Sequence, residues 1–479
     1  MAKKRVAFLL CLVGIACLGG ALARQTFYQH VLIDGRAHYF LGDDAMISMR
    51  YAYNLANGRG FLWNPGEYVQ GYTNLGWTLI MAAVHWLGAP LHVAPLVVLL
   101  IDVVVYVALV AILVLRLRPI PGVVAGCLVA LDGSLLAWTI AGFEATLQAV
   151  FITLAVLPFI DGRSSRWTPI WAALAFVVRP DAVIVFAWVA LLMVWRREFR
   201  WTLAAGPGLV AAVLVFQRAY YGGWLPNTFY LKAGAGSGAW APGLAYLGRF
   251  ALSDFFSLPL LLAPLVLAAM RRELAVVCAL PVAWSLYVVS VGGDAFEHGR
   301  FFVPIIPVLA VIAGLLVERL WALARNQLVT RVALVVAMMA LGLHVALAVP
   351  LLMTTKPAQD ASGMASTLGM IPRDSLVAVF AAGIVPYYLP EHRFHDLLGK
   401  SEVRIARGPV RIGPPGHNKW DYAYSLDVIR PDFIIGYGDF NKHGEGFYPA
   451  LWRDERFRRD YQRVAVSPDN VIWIYSRRE

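Results

Sequence analysis

The chain has 479 residues, 59% of them hydrophobic and 15% charged, with a mean hydropathy of +0.63; soluble domains carry about 25% charged residues, so the composition excludes an ordinary water-soluble enzyme and indicates a polytopic membrane protein. The net charge of +11 does not signal a nucleic-acid partner, because fifteen basic residues sit in short loops (Lys3, Lys4, Arg5; Arg116, Arg118; Arg163, Arg166; Arg196, Arg197, Arg200; Arg271, Arg272; Arg319, Arg325, Arg331), which the positive-inside rule places in the cytoplasm. Cys11, Cys17, Cys127 and Cys278 all lie in apolar runs, which argues against a disulfide framework or a thiolate metal cluster.

Lys3 to Arg5 followed by an apolar run to about Leu22 predicts a first span with its N-terminus inside, the alternative being a signal peptide cleaved near Ala21-Leu22-Ala23. An outer loop follows to about residue 92, with a helix over Ala45 to Ala56 and an apolar stretch, Leu75 to Leu87, too short to cross and so interfacial or re-entrant. Spans at about 93–115, 120–138 and 143–160 then keep the Arg116/Arg118 and Arg163/Arg166 pairs inside. Residues 167–179 and 183–195 read as two short helices meeting at Arg179-Pro180-Asp181, since a proline and two charges are costly against lipid. Further spans at about 201–219, 255–270, 273–291, 300–317 and 332–352 bring the total to about eleven and leave the C-terminus outside. Residues 353–479 change character: 17 basic and 15 acidic residues balance, and strands are expected at Ser375 to Ala381, Phe433 to Tyr437 and in a hairpin, Arg463 to Ser467 with Val471 to Tyr475. The predicted organisation is a transmembrane domain over 1–352, including the outer loop, and an extracytoplasmic α/β domain over 353–479.

Five polar clusters fall at the outer face in this topology. They are Asp43-Asp44, Gly142-Phe143-Glu144, Arg179-Pro180-Asp181, Tyr220 to Lys232 (YYGGWLPNTFYLK) and Gly292 to Arg300 (GGDAFEHGR). Charges at membrane depth cost about 2.5 to 3.5 kcal/mol each, so their gathering into one pocket is expected to serve chemistry. A lipid-phosphate donor accounts for both signs: Arg179, Lys232, His298 and Arg300 neutralise phosphate, while Asp43 or Asp44 takes the proton of an acceptor hydroxyl. Against this, Asp43 or Asp44 is also a suitable helix N-cap, Glu144, Asp181 and Asp294 are suitable ion-pair partners for Arg179 or Arg300, and Lys232 suits snorkelling to headgroups. Trp63, Asn64, Glu67, Tyr72 and Asn74 in the outer loop, with Asn227 and Tyr230, supply aromatic faces and amides that suit a sugar ring or a membrane interface. No histidine pair has metal-ligand spacing and no cofactor is called for; a divalent cation on the carboxylates stays open.

LGDDAMISMRYAYNLANGRGFLWNPGEYVQGYTN (Leu41 to Asn74), AGFEATL (Ala141 to Leu147), RPDA (Arg179 to Ala182), YGGWLPNTFYLK (Tyr221 to Lys232) and GGDAFEHGRFFVP (Gly292 to Pro304), taken in order, resemble the GT-C class of polyprenyl-phosphate-dependent glycosyltransferases, most of all the arabinofuranosyltransferase B family. AAGIVPYYLPEHRFHDLLG (Ala381 to Gly399) and GHNKWDY (Gly416 to Tyr422) are similar to the outer domain of that group. The resemblance implies a sugar, arabinofuranose in the nearest relatives, carried on polyprenyl phosphate to a glycan or glycoprotein outside the bacterial cytoplasmic membrane. It places the catalytic role on Asp43 and Asp44 and the donor pocket near Arg179, Lys232, His298 and Arg300. The competing reading is a transporter or flippase of lipid-linked sugars, whose charged pairs would lie near the bilayer midplane.

Overall fold

The computed structural model describes residues 15, 18–162, 165–198, 201–232, 236–253, 257–296, 298–323, 367, 370–413, 415–437, 445–467 and 472–478. The chain forms two compact units, one of residues 1–26, 100–210 and 238–355, the other of residues 27–99, 211–237 and 356–479. Contacts thus divide the chain at 355/356, beside the boundary expected at 352, and group residues 27–99 of the outer loop with the C-terminal residues, where the expected organisation counted that loop with the transmembrane domain.

In the first unit most predicted runs appear as helices close to their expected bounds: Ala145–Ile160, Thr168–Val178, Val183–Trp195, Ser257–Met270, Ala275–Ser290 and Ile306–Leu323. Three described helices, Ala94–Arg116, Arg272–Ser290 and Val303–Leu323, are long and apolar enough to cross a membrane, and a fourth span results if Pro119–Ala130 and Gly133–Ile140 are joined across their 54° bend. The other described runs in the count of eleven are shorter or more polar helices, and the expected spans at 6–22 and 332–352 lie largely or wholly outside the described residues. The bend has a local cause. Asp132 accepts a hydrogen bond from the Leu135 N–H at 2.7 Å, starting a new helix where the previous one has just ended. Arg179 similarly leaves the helix, extended before Pro180, because a residue preceding proline avoids the helical region.

The second unit begins with a hairpin, β1 (His30–Ile33) and β2 (Arg36–Tyr39), turned by Asp34 and Gly35, both with positive φ. Helix Asp43–Ala56 follows and packs on helix Leu75–Trp86. The C-terminal residues form a five-stranded mixed sheet from β3 (Leu376–Val379), β4 (Arg393–Asp396), β5 (Phe433–Tyr437), β6 (Tyr461–Val466) and β7 (Ile472–Arg477), in the order β4-β3-β5-β7-β6. The β3–β4 and β3–β5 pairs are parallel and the β5–β7 and β6–β7 pairs antiparallel. Its apolar face is filled by Phe380, Leu397, Trp420, Leu426, Leu451, Phe457 and Trp473. Three of the four expected strand regions carry over and the fourth, Val471 to Tyr475, appears as Ile472–Arg477. The residues between β6 and β7 are not all described.

His395 on β4 is 4% exposed, shares a hydrogen bond with Ser425 Oγ (2.9 Å) and lies 3.7 Å from Glu402. Burial, helped by Arg393, pulls its imidazole down to about 4, so the folded protein holds it neutral. A depressed histidine stabilises above the unfolded value near 6.5 and loses that contribution as pH falls toward 4, on the order of 2–3 kcal/mol. Denaturation midpoints of the whole chain should therefore drop as the pH is lowered through this window, and His395→Gln should flatten the slope by about one proton; an unchanged slope refutes the assignment.

Candidate active-site residues

The sequence candidates form two groups, one in each unit. In the second unit, Asp43 and Asp44 open helix Asp43–Ala56, whose N-cap is Gly42, so neither acts as the side-chain cap. Both carboxylates still lie in the first turn, where the helix dipole favours negative charge. Asp43 Oδ1 accepts from the N–H groups of Gly383 (3.0 Å) and Ile384 (2.9 Å). Gly383 is required for that approach, because a Cβ there would stand 1.9 Å from the Asp43 carbonyl oxygen. Asp44 Oδ1 meets Lys400 Nζ at 2.5 Å, with the two side chains 22% and 11% exposed. Burial pulls the Lys400 ammonium down, but Asp44 and Asp43 outweigh it and hold it above the ordinary lysine range.

Lys400 was not among the sequence candidates, nor was Arg50. Arg50 is fully buried and donates to the carbonyls of Trp63 (Nε, 2.6 Å), Pro386, Leu389 (3.3 Å) and His392 (2.8 Å). Its guanidinium also lies over the rings of Trp63 and Phe394. It thereby ties the first outer loop to residues more than three hundred positions later.

Trp63, Asn64, Tyr72 and Asn74, whose groups suited a sugar ring or a membrane interface, are interior residues, each 5% exposed or less. Trp63 Nε1 donates to the Ala382 carbonyl, and Asn64 pairs through its amide with the N–H and C=O of Phe394. Tyr72 shares a hydroxyl contact with Tyr221, and Asn74 Oδ1 accepts from Ser48 and Thr78. Amide and phenol groups inside a fold must find partners, and here the unit's own backbone and side chains supply them. Glu67 pairs with Arg393 at 2.7 Å. Asn227 is also buried, its amide donating to the carbonyls of Gly399 (2.9 Å) and Lys400 (3.1 Å). Tyr230 lies under the Arg407 guanidinium, its carbonyl accepting from Lys419. Lys232 is exposed at the end of helix Asn227–Lys232.

In the first unit the expected charges come together as ion pairs. Arg179 meets Glu144 and Asp181, each at 2.7 Å, and Gln148 donates to the other Asp181 oxygen at 2.6 Å. Arg300 meets Asp294 at 2.6 Å, the side chains 6% and 2% exposed. The Arg300 guanidinium is ringed by Trp138, Phe143, Phe296 and Phe301, and Phe301 also lies under Arg179. Two arginines thus face three carboxylates, and the group's positive charge is compensated from within. His298 is exposed, with positive φ, and its carbonyl accepts from Trp138 Nε1. Arg300→Met should cost about 3–5 kcal/mol by removing the ion-pair partner of buried Asp294, while Arg300→Met with Asp294→Leu should recover most of it. Thermal unfolding of the two variants checks this, and an equal loss in both would refute it. Among the described residues no group of three or more His, Cys, Asp or Glu side chains is arranged to hold a metal ion.

A family model described as Domain of unknown function (DUF8728) matches residues 355–475. The terminal beta-(1->2)-arabinofuranosyltransferase of Mycobacterium tuberculosis is 26% identical over 331 residues, covering 54% of this chain and 50% of the relative. The protein of the same name from Corynebacterium glutamicum is 30% identical over 169 residues, 30% of this chain and 24% of its own. The matched segments therefore span half or less of the relatives' length. The crystal structure of ArnT from Cupriavidus metallidurans bound to undecaprenyl phosphate aligns with a TM-score of 0.56 at 12% identity, over 99% of this chain and 98% of ArnT. The chain has the GT-C fold of membrane glycosyltransferases, with a C-terminal sheet region, and its sequence is similar to terminal arabinofuranosyltransferases.

Proposed function

We propose that this protein is a glycosyltransferase of the bacterial cytoplasmic membrane that moves a sugar, arabinofuranose by similarity, from a polyprenyl-phosphate donor to a glycan or glycoprotein on the outer side. The similarity to terminal arabinofuranosyltransferases carries this reading, and the acidic doublet opening the first outer helix gives it a chemical centre. Asp44 serves as general base. It takes the proton of an acceptor hydroxyl as that oxygen bonds to the anomeric carbon, and the bond to phosphate breaks with its electron pair leaving on the lipid phosphate. Asp43, tied to two backbone N–H groups, holds the start of the helix in place. The N-terminus lies inside and residues 353–479 outside, as the loop charges require.

The test is transfer by the purified full-length protein in lipid nanodiscs. The donor is synthetic polyprenyl-phosphate arabinofuranose, the acceptor an arabinofuranosyl oligosaccharide, and products are read by mass spectrometry. An acceptor heavier by one pentose supports the reading. Donor movement across sealed vesicles with no glycosidic product overturns it in favour of a flippase.

A further inference from the structure

We infer that Lys400 is a positioning residue for Asp44, contributed by the C-terminal sheet region, an inference that rests on the transferase reading above. The loop carrying Lys400 follows β4 and is held from several sides. Asp396, at the end of β4, accepts from the N–H groups of Leu398 (3.0 Å), Gly399 (3.1 Å) and Ser401 (2.7 Å). Asn227 binds the carbonyls of Gly399 and Lys400 from outside the loop. Gly71 passes so closely that a Cβ would lie 2.3 Å from Ser401 Oγ and 3.1 Å from the Lys400 carbonyl. Fixing a flexible lysine this firmly costs conformational entropy, and the group it fixes is one ammonium on one carboxylate.

The arrangement answers a chemical need. Two neighbouring aspartates raise each other's affinity for protons, and a protonated Asp44 accepts nothing from an acceptor hydroxyl. The Lys400 ammonium offsets that repulsion and keeps Asp44 ionised and aimed. On the Lys400 ammonium itself, Asp43, on the same helix as Asp44, and Asp396, whose oxygens are spent on the loop's own N–H groups, also act. The Tyr51 phenol, on the Asp44 helix, is held neutral by burial and donates to the Val69 carbonyl. After transfer, the proton on Asp44 passes to water and the cation favours the return to carboxylate.

The experiment compares kcat/KM against pH for the wild type, Lys400→Met and Lys400→Arg in the nanodisc assay. Lys400→Met should lose about tenfold or more in kcat at neutral pH, with donor KM changed by less than about twofold. Its acid limb should move up by about one pH unit or more, and Lys400→Arg should restore both. An unmoved limb overturns the inference. If donor KM rises alone, Lys400 contacts the lipid phosphate and the inference fails; if unfolding temperature falls without rescue by arginine, it only packs and the inference fails again. Should Lys400→Met fail to fold, Lys400→Cys before and after aminoethylation gives the same comparison. Full activity in Asp44→Asn would instead overturn the transferase reading, whereas an inactive Asp44→Asn beside an unmoved Lys400→Met limb removes only the role given to Lys400.

Discussion

Asp44→Asn should reduce transfer by about 10²–10⁴-fold while the protein still inserts and folds, with a lowered unfolding temperature because the ion pair to Lys400 is lost, since a general base contributes on that scale and the substitution conserves shape. The amide introduced there would keep an oxygen for Lys400, so the loss isolates charge and basicity from packing. Asp43→Asn should cost less, about tenfold, because an amide oxygen still accepts from the N–H groups of Gly383 and Ile384. Rates from the nanodisc assay, set beside unfolding temperatures, separate the two roles. Full activity in both single variants and in the double variant defeats the assignment of this doublet as the catalytic group.

A loss of stability as large as that at Arg300 is expected at Arg50. Arg50→Met should destabilise the protein by about 3–5 kcal/mol, because it takes the guanidinium from the buried carbonyls of Pro386 and His392 and removes one of the donors to those of Trp63 and Leu389. Burial pulls the guanidinium down to about 9, yet it stays charged at neutral pH, held by carbonyl dipoles and two aromatic rings. Arg50→Lys should recover only part of the loss, since an ammonium cannot reach acceptors spread along a planar fork. Chemical denaturation in detergent measures both variants, and a methionine variant within about 1 kcal/mol of wild type would refute the clamp.

The positions of many candidate residues were legible because these residues punctuate apolar runs. A proline after Arg179 ends a helix wherever that helix lies, and the doublet at Asp43 precedes a periodic apolar face. Some signals were present and unread. Asp34-Gly35 is a two-residue hairpin turn, and Asp132-Gly133 interrupts a span at its bend. β4 is different: Arg-Phe-His-Asp carries no strand signature, and it pairs because β3 offers a parallel edge beside it.

Local physics, then, determined the membrane class, most helix positions, the acidic doublet and the Arg179-Pro180-Asp181 tip, since each depends on residues within a few turns of one another. Only the tertiary structure decided partners: Lys400 with Asp44 across 356 positions, Arg50 with the carbonyls near Pro386, and Arg300 with Asp294 inside a ring of aromatics. It also placed Trp63, Asn64, Tyr72 and Asn74, which the sequence offered to a sugar ring or a membrane interface, as the loop's interior supports. The reason is that a charge or an amide has the same sequence signature whether it meets a ligand or another part of its own chain. Which one it meets is set by long-range closure, whose outcome depends on the summed burial and hydrogen bonding of the whole unit.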